Sequence, residues 1–168
     1  MRDMNRKRGF TLIELMVTLA VAAILLTVGV PAFQEMLRNN RAATHANEFL
    51  TALNFTRSEA IKRGRNISLC PSSNQTACGG ANWAVGWIAF VDADNDGVVD
   101  AGEELLRAWG ALSGNPSFTG PTILVYRPAG ELAAGTAQLD YALGTHDHCV
   151  QINSVGRPRI EKDTAQCP

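Results

Sequence analysis

An α+β architecture is predicted: one long N-terminal helix, apolar all round in its first half and amphipathic in its second, packed on a small antiparallel β-sheet head. Three observations predict it. Residues 15–34 carry no charge and are nearly all apolar. From Ala42 to Ile61 apolar residues recur at three- and four-residue steps, the period of a helix with one buried face. Beyond Arg65, short apolar runs are separated by Gly, Pro, Asn and Asp, with no strand–helix alternation.

The first nine residues are a basic patch. Arg2, Arg6, Lys7 and Arg8 outweigh Asp3, so they are net +3; with the whole chain at −1, the rest is net −4. That balance argues against general nucleic-acid binding and leaves room only for a local patch. The uncharged run from Leu15 to Gln34 would span about 30 Å as a helix, the thickness of a hydrocarbon core. Basic residues on its N-terminal side predict a cytoplasmic N-terminus and an exported body. A cleaved secretory signal fits the charge but not the length of the run, and Ala20–Ala22 lies too deep in it to be a cleavage site. A plain single-span anchor accounts for neither Gly9-Phe10 nor Glu14.

Glu14 stands at the start of the apolar run, where an ionised carboxylate costs up to ~2.5 kcal/mol or more at the bilayer centre and less near the interface. No cation follows it until Arg38. Cleavage between Gly9 and Phe10 would create an α-amino group on Phe10, one helical turn from Glu14. It could pair with Glu14 of the same chain or of a neighbouring helix. The stretch Gly9-Phe10-Thr11-Leu12-Ile13-Glu14 resembles the processing site of type IV pilins and type II secretion pseudopilins, and the likeness continues to Pro31-Ala32-Phe33. The resemblance implies cleavage after Gly9 by a prepilin peptidase, N-methylation of Phe10, and pairing of Glu14 with the amine of a neighbouring subunit. Gly29 and Pro31 are expected to loosen or kink the helix.

In the second half of the helix Ala42, Ala46, Phe49, Leu50, Leu53, Ala60 and Ile61 form the predicted buried stripe. Arg38, Arg41, Glu48, Arg57 and Lys62 mostly face away from it. Gly64 ends the helix. A coiled-coil dimer is disfavoured by too few heptads and an alanine-rich stripe. The segment "FTRSEAIKRG", Phe55 to Gly64, resembles the helix end of the GspH, FimT and FimU-like minor pilins. The predicted organisation is a leader at 1–9, a transmembrane half-helix at 10–34, an amphipathic half-helix at 35–63 and a β-rich head at 64–168.

Predicted strands of the head are Ile67–Cys70, Trp83–Asp92, Leu105–Ala111, Thr122–Arg127, Gln138–Ala142 and Cys149–Ser154. The four cysteines, Cys70, Cys78, Cys149 and Cys167, suit disulfides in an exported chain. Three pairings exist. Nearest neighbours, Cys70–Cys78 and Cys149–Cys167, close two short loops. Zinc is disfavoured because no C-x-x-C pair occurs.

Three short motifs bear on chemistry. In "DADNDGVVDAGE", Asp92, Asp94, Asp96, Gly97 and Glu103 match every fixed position of a calcium loop, and Asp100 falls on a further ligand position. The flanks "GWIAFV" and "LLRAW" read as strands rather than the helices of an EF-hand, so a metal-free turn is favoured and Ca2+ is the alternative cofactor. In "GRPR", Arg157 and Arg159 would share one face of an extended segment and could grip successive phosphates. A GRxR motif in FimT-like pilins is associated with DNA uptake, and Gly156, Arg157 and Arg159 match it. The alternative is a solvated turn, or an ion pair to Glu161 or Asp163. In "HDHC", His146 and His148 share one face of a strand and Cys149 the other, which opposes a Cys–His nucleophile. No catalytic set is assembled.

The resemblance implies a minor pilin that enters a type IV pilus near its tip and helps to initiate assembly for twitching motility and adhesion. Its partners would be other minor pilins, the major pilin, the prepilin peptidase and the inner-membrane assembly platform. It would sit in the bacterial inner membrane with its head in the periplasm, then in the fimbrium at the cell surface. The alternatives are a DNA-binding minor pilin and a pseudopilin of the type II secretion tip.

Overall fold

The computed structural model describes residues 10–162. The expected leader at 1–9, including Gly9, and Asp163 and Cys167 lie outside them. The chain divides into two compact units, residues 1–37 and 38–168.

Helix α1, Leu12–Arg63, begins at a Thr11 cap: the Glu14 amide donates to Thr11 Oγ1 at 3.2 Å. Thr11 and Glu14 are thus the first and last positions of a capping-box spacing. The helix runs unbroken through Gly29 and Pro31, so no break accompanies the missing proline N–H. It ends where expected: Gly64 adopts a left-handed φ of 62° and its amide closes on Ala60 O at 3.0 Å. Within the first unit, the apolar side chains from Leu12 to Leu37 are exposed on all sides of the helix.

In the second unit α1 buries Ala42, His45, Ala46, Phe49, Ala52, Leu53, Thr56 and Ala60, a single stripe at helical spacing. Three expectations fail here, the first at Leu50, which is only partly buried and lies outside the core cluster. Ile61 is 51% exposed, one residue past the stripe, with only its tip near Gly130. Arg57, expected in solvent, is half-buried and donates to Gly130 O at 2.8 Å and Val155 O at 3.0 Å.

The head contains β1 (Ile67–Pro71), β2 (Trp87–Val91), β3 (Leu105–Trp109), β4 (Ser117–Thr119), β5 (Leu124–Tyr126), β6 (Ala137–Leu143), β7 (His146–Ile152) and β8 (Pro158–Lys162). They form two four-stranded antiparallel sheets, ordered β3-β2-β1-β5 and β4-β6-β7-β8. The expected strand from Trp83 to Asp92 is corrected to a 3-10 turn, Trp83–Val85, followed by β2. Asn82 caps the turn. Gly86, at φ 104°, lies so close to the Trp109 and Gly110 backbone that a side chain would not fit. Strands β4 and β8 were not expected. The first is three residues long, and the second is polar and begins with proline, as edge strands often do.

The main core joins the α1 stripe to both sheets. Phe49 makes edge-to-face contacts with Trp83 and Trp87, each at 5.2 Å, and with Phe118 at 4.8 Å. The strands β1 and β2 are buried along their whole length. Ile67, Leu69, Trp87 and Ala89 belong to the main core, and Cys70, Ile88 and Phe90 form a second cluster with Cys78, Val99 and Ile123. The Cys70–Cys78 disulfide is present. Cys149 is buried and disulfide-bonded; its expected partner, Cys167, lies outside the described residues.

Phe49→Ala should destabilise the head by about 3–5 kcal/mol, the usual loss for a large aromatic removed from a packed core. Chemical unfolding followed by tryptophan fluorescence in detergent would measure it, and a loss below about 1 kcal/mol would contradict the packing described.

Candidate functional site

Three groups of side chains bear on function, and none resembles a catalytic centre. The first is the start of α1. Phe10 precedes the helix and is 82% exposed, and Glu14 occupies the first turn with its side chain in the open. Glu14 thus combines a capping position with a carboxylate at the head of an exposed apolar helix. The helix N-terminus itself favours that negative charge.

The second is the β7–β8 hairpin. Its turn is closed by Gly156 N to Asn153 O at 2.8 Å and by Arg157 N to Asn153 Oδ1 at 2.8 Å. Gly156 is buried at φ 74°, where a side chain would collide with Gly130 O and the Tyr126 ring. The glycine of "GRPR" therefore has a structural reason of its own. Arg57 binds both turns that meet there, through Gly130 O and Val155 O. Arg157 and Arg159 are exposed and line one shallow depression with Gln138, Gln151 and Asn153. Arg159 is partly engaged, bonding Gln151 Oε1 at 3.0 Å through Nε and Glu161 at 2.9 Å through Nη2. The Arg157 side chain forms no ion pair among the described residues.

The third is the loop from Asp92 to Glu104 between β2 and β3. Asp92, Asp94 and Asp96 each bring a carboxylate oxygen within 4.8 Å of the others. Asp100 and Glu103, ligand positions by spacing, stand outside that cluster. Glu103 instead holds the loop closed, accepting from Ala93 N at 2.7 Å and from Asp100 N at 3.2 Å. Asn95 and Gly97 take the left-handed conformations, φ 66° and 77°, that bend the chain between the three aspartates.

In "HDHC", His148 is buried and stacks on Tyr141 at 5.8 Å. Tyr141 also bonds His45 Nδ1 at 2.8 Å, a buried pair that no motif announced. Burial lowers the pKa of His45, with Glu48 opposing the shift, and pushes the Tyr141 hydroxyl up to about 12. His45 and Tyr141 are thus a hydrogen-bonded pair of the core, with His148 stacked against it.

A family model described as type II transport protein GspH matches residues 45–156, and the prokaryotic N-terminal methylation motif matches residues 4–30. Prepilin peptidase-dependent protein D of Escherichia coli is 57% identical over 35 residues, a match that spans only 24% of that protein and 21% of this chain. A pilin-like protein of Thermus thermophilus is 31% identical over 166 residues, covering 92% of this chain and 99% of the relative. The crystal structure of the type IV minor pilin FimU of Pseudomonas aeruginosa superposes with a TM-score of 0.62 at 20% identity, covering 77% of this chain and 94% of that one. The likeness in structure is one of fold.

Gly156→Ala should cost at least about 1–2 kcal/mol, because an alanine at left-handed φ is strained before any clash is counted. Thermal unfolding compared with Val155→Ala, an exposed neighbour in the same turn, would show it; equal stability of the two variants would contradict the close approach.

Proposed function

The chain belongs to the GspH family of pilins and pseudopilins, structural subunits rather than enzymes, and we propose that it is a minor pilin of a type IV pilus. It enters the fibre near the tip and helps to initiate assembly for twitching motility and adhesion. The observation that carries this reading is the first half of α1. Its apolar side chains are exposed all round, with Phe10 and Glu14 at its head. Such a surface is stable in only two surroundings, a hydrocarbon core and a bundle of like helices. The subunit is made in the inner membrane with its head in the periplasm. The prepilin peptidase removes residues 1–9, and Phe10 is methylated. The assembly platform then transfers the helix from lipid to the fibre. Glu14 accepts the Phe10 amine of the adjacent subunit. That pairing offsets the desolvation of a carboxylate in lipid and fixes the stagger between helices. The partners are other minor pilins and the major pilin. The same steps in a type II secretion system would make the chain a pseudopilin, a reading that the family description also supports.

Intact mass of the membrane-extracted protein should show loss of residues 1–9 and gain of one methyl group. Glu14→Ala should leave the protein in the membrane but deplete it from sheared surface fibres by about tenfold or more, the equivalent of one lost ion pair. Retention of the first nine residues, or normal incorporation of Glu14→Ala, would refute the reading. Absence of the processed wild type from sheared pili would assign it to the secretion system instead.

A second reading rests on the depression that Arg157 and Arg159 share. Two arginines supply weak, salt-sensitive contact with the phosphates of DNA. In a gel-shift assay at low salt, Arg157→Ala/Arg159→Ala should abolish a shift that the wild type gives. No shift by the wild type would remove DNA from among the partners.

A further inference from the structure

We propose that the loop between β2 and β3 is a calcium site, formed by Asp92, Asp94 and Asp96. Their carboxylate oxygens lie within 4.8 Å of one another. Among the described residues none of the three forms an ion pair. Like charges so close repel, and exposed acidic clusters commonly tolerate this because water screens them. Asp92 has no such screening.

Asp92 is fully buried. Its Oδ2 accepts from Ser68 Oγ at 2.6 Å, and its Oδ1 has no hydrogen-bond partner. A buried carboxylate with one unpartnered oxygen, clustered with two further carboxylates, is costly unless a cation meets it. The burial follows from position. Asp92 directly follows β2, a strand covered on both faces, and Ser68 on β1 fixes its rotamer.

The donor set selects the ion. All donors are hard oxygens with no nitrogen or sulfur, which excludes a zinc or copper preference. A loop bent by Asn95 and Gly97 offers an irregular cage, which Ca2+ tolerates and Mg2+ does not. The remaining coordination falls to water and loop carbonyls. Glu103 serves in a different way from that implied by its place in the spacing. Its two oxygens hold the amides of Ala93 and Asp100, so it clasps the ends of the loop around the cluster. The site does not depend on which fibre the subunit enters.

The test uses the full chain in detergent, stripped with a chelator, with Ca2+ alone as the ligand. Equilibrium dialysis should find one ion per chain, half-saturated at about 10⁻⁴–10⁻³ M, the range of extracellular modules with few ligands. The melting temperature should rise with the logarithm of free Ca2+. Asp94→Asn/Asp96→Asn alters only exposed side chains. It should weaken binding by roughly tenfold or more while leaving the calcium-free melting temperature equal or higher, because two repelling charges are gone. Absence of bound Ca2+ at about 10⁻² M, well above that range, would overturn the site. So would equal binding by the double variant, or an equal thermal shift with Mg2+, which would mark the effect as ionic screening.

Discussion

Phe49 is the side chain on which both halves of the head converge. It sits in the middle of the α1 stripe, with Trp87 of the first sheet and Phe118 of the second both set edge-on against it. Each sheet turns an apolar face to the helix, and the same helical stripe covers both; the first sheet also carries the smaller Cys70–Ile88–Phe90 cluster. The constraint therefore runs from the helix outward. A residue on α1 can be apolar and exposed before Leu37, but from Ala42 onward it must obey the three- and four-residue step or leave the core. Ile61 fits the expected step but lies next to the buried Ala60, about 100° further round the helix, and it is exposed.

That rule separates what was legible in the sequence from what was not. The helix, its cap at Gly64 and most of the stripe follow from period and a terminal glycine, both local signals. Sheet membership does not. The chain from Trp83 to Asp92 has the composition of one strand, but Gly86 approaches the backbone of Trp109 and Gly110, a contact set by a distant segment. Strand β8 hides for the opposite reason. As an edge strand it faces water, so its Arg, Glu and Lys residues carry no apolar alternation, and "GRPR" reads as a functional motif before it reads as structure. The buried His45–Tyr141 pair could not be found at all, since 96 residues separate its members.

The candidate sites divide along the same line. Glu14 is legible because its oddity is local: one acid at the edge of an apolar run. In the structure it also closes a capping-box spacing with Thr11, so a helix-start position and the proposed assembly role fall on one residue. Helix start and assembly device are compatible, because the cap uses the backbone amide of Glu14 and leaves its carboxylate free to meet a partner. Gly156 shows the reverse. Its place in a basic motif suggests contact with phosphate, yet it is buried at left-handed φ against Gly130. Substitution of that glycine reports on packing; only the two arginines report on a ligand.

The acidic loop shows why spacing alone misassigns roles. A calcium-loop register names five carboxylates as equal candidates, and the fold sorts them. Three are gathered, and Glu103 is engaged by backbone amides at the two ends of the loop. The sorting follows from the flanks being strands. Strands hold the loop ends at the spacing of a hairpin, which brings Ala93 and Asp100 within reach of one glutamate. That same hairpin places Asp92 at the end of a strand buried on both faces, where its charge cannot be left to solvent. An acid at an exposed loop position needs no explanation from chemistry. An acid with one oxygen anchored by Ser68 and the other without a protein partner does, and the proposed calcium ion is the partner offered for it.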